Sequence, residues 1–195
     1  MTSTTEKFSD EMIATLNQHY EKCIDNLKSD ISNRDKYFIT MLSLVALIVI
    51  KFSDNSVFEI IIIKLLDVKN SDISSNHIVN LFLWIVGYFT FIRYSQFHSN
   101  IEISYKYINK LETEMNNIYG GELFTKESNF YAINKNNVHE FNKIILKVFF
   151  PLVIAFSIIT SLVLIFANSL TVLSILEVIV CGLFLTHLII FAKDS

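Results

Sequence analysis

The sequence predicts an all-α integral membrane protein with four transmembrane helices and cytoplasmic helical extensions, and three observations carry that prediction. The chain ends in two nearly unbroken apolar runs, Val148–Ala167 and Leu170–Ala192, separated only by Asn168 and Ser169. Two shorter apolar runs, Tyr37–Phe52 and Ile78–Ile92, precede them. The 195 residues are 52% hydrophobic yet include only four glycines and one proline, a composition suited to helices rather than to turn-rich β folds.

Residues 1–36 read as an N-terminal cytoplasmic amphipathic helix. Ile13, Leu16, Tyr20, Cys23 and Leu27 recur at steps of three and four, and neither Gly nor Pro occurs before Gly87. One helix from about Ser9 is therefore expected to run directly into the first span. A basic n-region, short apolar core and small-residue cleavage site are missing from residues 1–30, so the first apolar run is expected to anchor rather than be removed.

Residues 37–92 hold the first two spans and an outer loop over 51–77. Each run reaches only about 24 Å at about 1.5 Å per residue, short of a hydrocarbon core of roughly 30 Å, so each needs flanking residues, snorkelling by Lys51 and Arg93, or local thinning of the bilayer. The runner-up arrangement has a single pair of spans, with these two runs packed as helices. Within the loop, Val57–Leu66 is apolar but interrupted by Glu59 and Lys64, which suits a short helix at the outer interface.

Residues 93–147 form a cytoplasmic helical region. Ile101, Tyr105, Ile108, Leu111, Met115 and Ile118 continue the second span as an amphipathic helix that stops at Gly120-Gly121, where a left-handed cap is cheap. Glu122–Asn129 reads as a linker, and a new helix from Asn136-Asn137 leads through Phe141 and Lys147 into the third span. Pro151 removes one amide donor, frees the Lys147 carbonyl and is expected to bend that helix.

Residues 148–195 form the transmembrane hairpin. Only Glu177 breaks its second run, and fifteen Leu, Ile, Val and Phe at roughly −0.3 to −0.6 kcal/mol each outweigh an acid that costs about 3 kcal/mol. Residues 1–36 carry five Lys or Arg, Arg93–Lys147 carry seven, and Lys193 follows the last span, against three in Lys51–His77. By the positive-inside rule both termini face the cytoplasm.

Charge and motifs exclude several function classes. A net charge of −3 without a basic stripe gives nucleic acid no footprint. Cys23 and Cys181 lack metal-site spacing and are expected to be unpaired, and His139-Glu140 lacks the second histidine of a helix-borne zinc site. No metal, cofactor or catalytic set is predicted, so the chain is not expected to be an enzyme.

Glu177 is the leading polar candidate, because an intramembrane carboxyl is expensive and faces a partner or a water-filled path. With the hairpin symmetric about its turn, Thr160 and Ser161 share its depth and Ser157 lies near Cys181. Glu177 then either hydrogen-bonds these hydroxyls and glues the hairpin, or copies of it ring a cation path. His187, nearer the cytoplasmic end, reads as a hydrogen-bonded interface residue. Ile13, Leu16, Tyr20, Leu27 and Ile108 are gating or oligomerisation candidates, since their stripes must be buried within the chain or against another copy.

The long N-terminal helix, the return span continuing as YINKLETEMNNIYGG over Tyr107–Gly121, and the closing hairpin resemble small multi-span effectors of bacterial anti-phage defence, of the SLATT type or the Hailong pore-forming type. The resemblance is one of layout over most of the chain, and maps no family residue onto it. It implies a homo-oligomeric channel in the bacterial inner membrane, held closed until infection. The expected function is thus a homo-oligomeric channel or pore-forming effector, drawn as a tetramer, embedded in membrane lipids and gated by cytoplasmic helices through a cytosolic regulatory protein or small ligand. The alternatives are a membrane-anchored adaptor that recruits a cytosolic partner through Ile101–Ile118, and a proton-coupled transporter using Glu177 and His187.

Overall fold

The computed structural model describes residues 10–53, 55–66, 76–121, 148–167 and 171–194. Among these the chain forms five helices and no strand: α1 (Asp10–Ser53), α2 (Asn55–Leu66), α3 (Asn76–Tyr119), α4 (Phe150–Ala167) and α5 (Val172–Asp194). The all-helical class expected from the sequence is what the structure shows.

The boundaries follow local chemistry. α1 is a single 44-residue helix, as the absence of Gly and Pro allows. α3, also 44 residues, ends where Gly120 takes φ 68° and the Gly121 amide donates to the Asn116 carbonyl at 3.2 Å, the Schellman closure that a left-handed residue permits. α5 opens on a reciprocal cap. The Ser174 amide donates to Thr171 Oγ1 at 3.2 Å and the Thr171 amide to Ser174 Oγ at 3.4 Å. Pro151 is the second residue of α4 and follows π-type winding at Val148 and Phe149. The linker Glu122–Asn129, the helix expected from Asn136-Asn137, the Lys147 carbonyl and the Asn168–Ser169 turn lie outside the described residues.

The chain divides into two units. Unit 1 comprises Met1–Asp35 and Gln96–Asn137, so its described part is the beginning of α1 and the end of α3. The two segments run antiparallel: Asn17 meets Tyr119, and Tyr20 meets Glu112. Ile24 and Leu27 pack with Ile101 and Ile108, flanked by Tyr20, Cys23, Ile31 and Tyr105.

Unit 2 comprises Lys36–Ser95 and Val138–Ser195. Its core joins Met41, Val45 and Ile48 of α1, Trp84, Phe91 and Tyr94 of α3, Phe150, Ile154 and Ile158 of α4, and Cys181, Phe184 and Phe191 of α5. Aromatic pairs set the register: Trp84 with Phe184 at 6.3 Å, Phe91 with Phe191 at 5.5 Å, and Phe38 with Phe150 at 4.9 Å between ring centroids. The short helix expected near Val57–Leu66 is α2, which buries Phe58 against Leu83 and leaves Val57 and Ile60 exposed.

Among the described residues two helices are long and apolar enough to cross a membrane, Ile78–Tyr119 and Val172–Lys193, while Phe150–Phe166 is apolar but shorter. The polarity of α4 and α5 is inverted relative to a water-facing helix. Ser157, Ser161, Ser174 and Glu177 are buried, whereas Phe156 is 72% and Phe166 64% exposed.

Candidate functional site

The polar interior of unit 2 is built from the ends of three helices. Lys51 lies in the last turn of α1, where the partial negative charge of the helix terminus favours a cation. Its Nζ donates to Asn80 Oδ1 at 2.8 Å and sits 5.7 Å from the centre of the Phe58 ring. Asn80, in the second turn of α3, is itself buried. Glu177, in the second turn of α5, has 0% exposure and interacts electrostatically with Lys51. Neither Glu177 carboxylate oxygen has a hydrogen-bond partner among the described residues. Trp84 Nε1 and Ser161 Oγ are buried in the same state.

This geometry corrects the expectation that hydroxyls hold Glu177. Ser157 Oγ donates to the Val153 carbonyl and Thr160 Oγ1 to the Phe156 carbonyl, each at 2.9 Å, and Ser161 makes no bond to it. A serine or threonine inside a helix reaches the carbonyl four residues back without help from a second helix, and that local bond wins here. Within the single chain Glu177 is enclosed, with 0% exposure.

His187 is half-buried. Its Nε2 lies 3.2 Å from Ser95 Oγ, and its ring meets Phe91 and Tyr88 edge-on at 5.2 and 6.1 Å. Cys23 and Cys181 are free thiols, the second fully enclosed. Among the described residues no three His, Cys, Asp or Glu gather as a metal site.

In unit 1, Leu27 and Ile108 are buried against each other's helices, and Tyr20 donates its hydroxyl to Glu112 Oε1 at 2.9 Å. The stripe Ile101–Ile118 is thereby largely filled from within the chain, with Ile101, Ile108, Leu111 and Met115 all buried. Ile13 and Leu16 are half-buried instead, and with Met12, His19, Glu114 and Ile118 they line a groove of about 610 Å³.

Sequence reasoning missed Lys51 as the charge that Glu177 interacts with, and Asn80 as the acceptor that Lys51 reaches. All three carry one signal, a polar residue in or at the edge of an apolar run, but an end-of-run lysine is explained equally well by snorkelling.

Fold and site together define an all-α protein with a helical hairpin unit and a second unit that hides charge beneath an apolar exterior. Comparison with protein-family models, with curated proteins and with solved structures finds no match to the chain.

Proposed function

We propose that the chain is a four-span membrane protein acting as a homo-oligomeric channel or pore-forming effector, gated by the helices of unit 1. The observation that carries the membrane reading is the inverted polarity of unit 2. An apolar exterior on α4 and α5 around Glu177 and three serines is unfavourable in water and favourable in lipid. Ile39, Leu42 and Val49 extend that exterior along α1, and Ile78, Phe82 and Phe89 along α3, which supports spans from both. Thirteen of the sixteen Lys and Arg fall in segments that four spans leave on one side, favouring cytoplasmic termini.

Gating follows from continuity. α1 and α3 each supply residues to both units, so a ligand or protein that repacks the unit 1 hairpin can pass movement along unbroken helix. The layout resemblance to defence effectors supports membrane depolarisation as the outcome. Purified protein in phospholipid vesicles should form a defined oligomer and release trapped ions, and its expression should depolarise cells. A monomer that releases nothing, with or without residues 1–34, overturns the channel.

The adaptor reading keeps one foothold, the groove at Ile13, Leu16 and Ile118, whose half-exposed apolar lining suits a partner helix. It predicts a co-purifying protein that Leu16→Glu removes, with no ion flux from either form.

A further inference from the structure

We infer that the groove where α1 begins and α3 ends docks a cationic amphipathic helix of another protein, one whose apolar stripe is flanked by lysine or arginine. The groove holds about 610 Å³ and lies wholly within unit 1. Its apolar lining is Met12, Ile13 and Leu16 of α1 with Ile118 of α3, and Met12 is 53% exposed, so the described residues leave it open.

Length selects a helix. On α1 the lining runs from Glu11 to His19, about 12 Å at about 1.5 Å per residue, or roughly two turns. Anchors at i, i+3 or i+4, and i+7 on a partner helix span that distance. Two packed helices also leave a furrow along their seam that accepts the side-chain ridge of a third. The furrow is short. It stops at His19, whose Nε2 lies 2.8 Å from the Tyr107 hydroxyl, and further along the hairpin Ile24, Leu27 and Ile108 fill the space between α1 and α3.

Charge selects the sign. Glu11 and Glu114 line the groove, one from each helix, and among the described residues no lysine or arginine does. Glu114 lies 3.9 Å from Lys110 one turn back on its own helix, but that pair is exposed, and such pairs hold weakly enough for a partner's cation to replace them. A second copy docking through the same surface would set these carboxylates against their own kind, and an acidic helix would meet the same repulsion. The inference deepens the adaptor reading and rests on it: that reading needs a partner in the groove, and the rim carboxylates give the partner its charge.

Fluorescence anisotropy tests it, with the full-length protein in neutral phosphatidylcholine nanodiscs and two labelled probe peptides of about 18 residues, long enough to turn helical on binding. Both carry leucine at positions i, i+4, i+7 and i+11, flanked by lysine in one and by glutamate in the other. The lysine peptide should bind roughly tenfold tighter at low ionic strength, and the gap should narrow in about 0.5 M salt. Glu11→Lys with Glu114→Lys should reverse the preference; both residues are exposed, so the fold tolerates the exchange. Leu16→Ala should weaken the lysine peptide by roughly tenfold. Equal affinity for the two peptides, a preference that survives the charge reversal, indifference to Leu16→Ala, or no binding of either peptide overturns the inference. Binding that appears only once residues 1–9 are removed gives the groove to the chain's own amino terminus, and binding that splits an oligomer gives it to a second copy; each overturns it too. Equal affinity that Leu16→Ala still weakens sinks the cationic partner and leaves the adaptor reading standing. That reading fails on its own measurements, a missing co-purifying protein or the presence of ion flux.

Discussion

Ile108 has no exposed surface and shares its cluster with Ile24, Leu27 and Ile101, so it sits where truncation leaves a cavity rather than a dent. Ile108→Ala should cost about 2–5 kcal/mol, measured by denaturant unfolding of the purified protein. Tyr20→Phe keeps the ring and deletes the hydroxyl that Glu112 accepts, with Glu112 only 2% exposed. A loss of about 1.5–3 kcal/mol is expected in the same measurement, because the acceptor is ionisable and buried. At this scale the sequence is legible by residue type and illegible by direction. Glu177 announces itself as an acid within an apolar run, and the three-and-four spacing of Leu27 and Ile108 marks them for burial. Whether Lys51 points out to headgroups or in toward Asn80 is decided by packing between helices far apart in sequence.

Helix ends were legible where backbone chemistry is local. Gly120 lies at a positive φ that other residues adopt only with strain, and its position directly after a periodic run identifies the end of α3. Gly120→Ala should therefore destabilise the unit 1 hairpin by about 1–2 kcal/mol, visible as a lowered melting temperature, although a methyl group there meets nothing within 4 Å. The penalty is conformational, not steric crowding by neighbours. The start of α5 was harder to read. Leu170 continues the apolar run, but Thr171 and Ser174 exchange amide bonds and begin the helix after it. The capping pair is partly hidden because serine replaces the usual longer acidic or amide side chain at the third position. Similarly, α2 was visible as a short apolar segment, while its choice of Phe58 as the inward residue depends on Leu83 across the unit.

For the whole molecule, hydropathy reveals that α3 and α5 can cross a bilayer, but it does not say which side of each helix lipid would touch. Burial supplies that: on α5 Ser174 and Glu177 are buried while Ile175, Ile179 and Leu183 are exposed, and on α3 Asn80 is buried while Phe82 and Phe89 are exposed. The two native thiols turn the proposed orientation into a measurement. Cys23 is half-buried in unit 1 and Cys181 has no exposure in unit 2, so a membrane-impermeant maleimide should modify Cys23 alone. Labelling should occur in inverted membrane vesicles and not from outside intact cells, as expected for a cytoplasmic amino-terminal helix. Modification of Cys23 from outside intact cells reverses the topology.

Trp84 is the chain's one tryptophan, 1% exposed, one helical turn after Asn80 and edge-on to Phe184. Its ultraviolet emission consequently originates from a single place beside Phe184 in the interior of unit 2, and the native protein carries its own optical reporter of local polarity. Rearrangement of that neighbourhood can be followed in real time without attaching a dye.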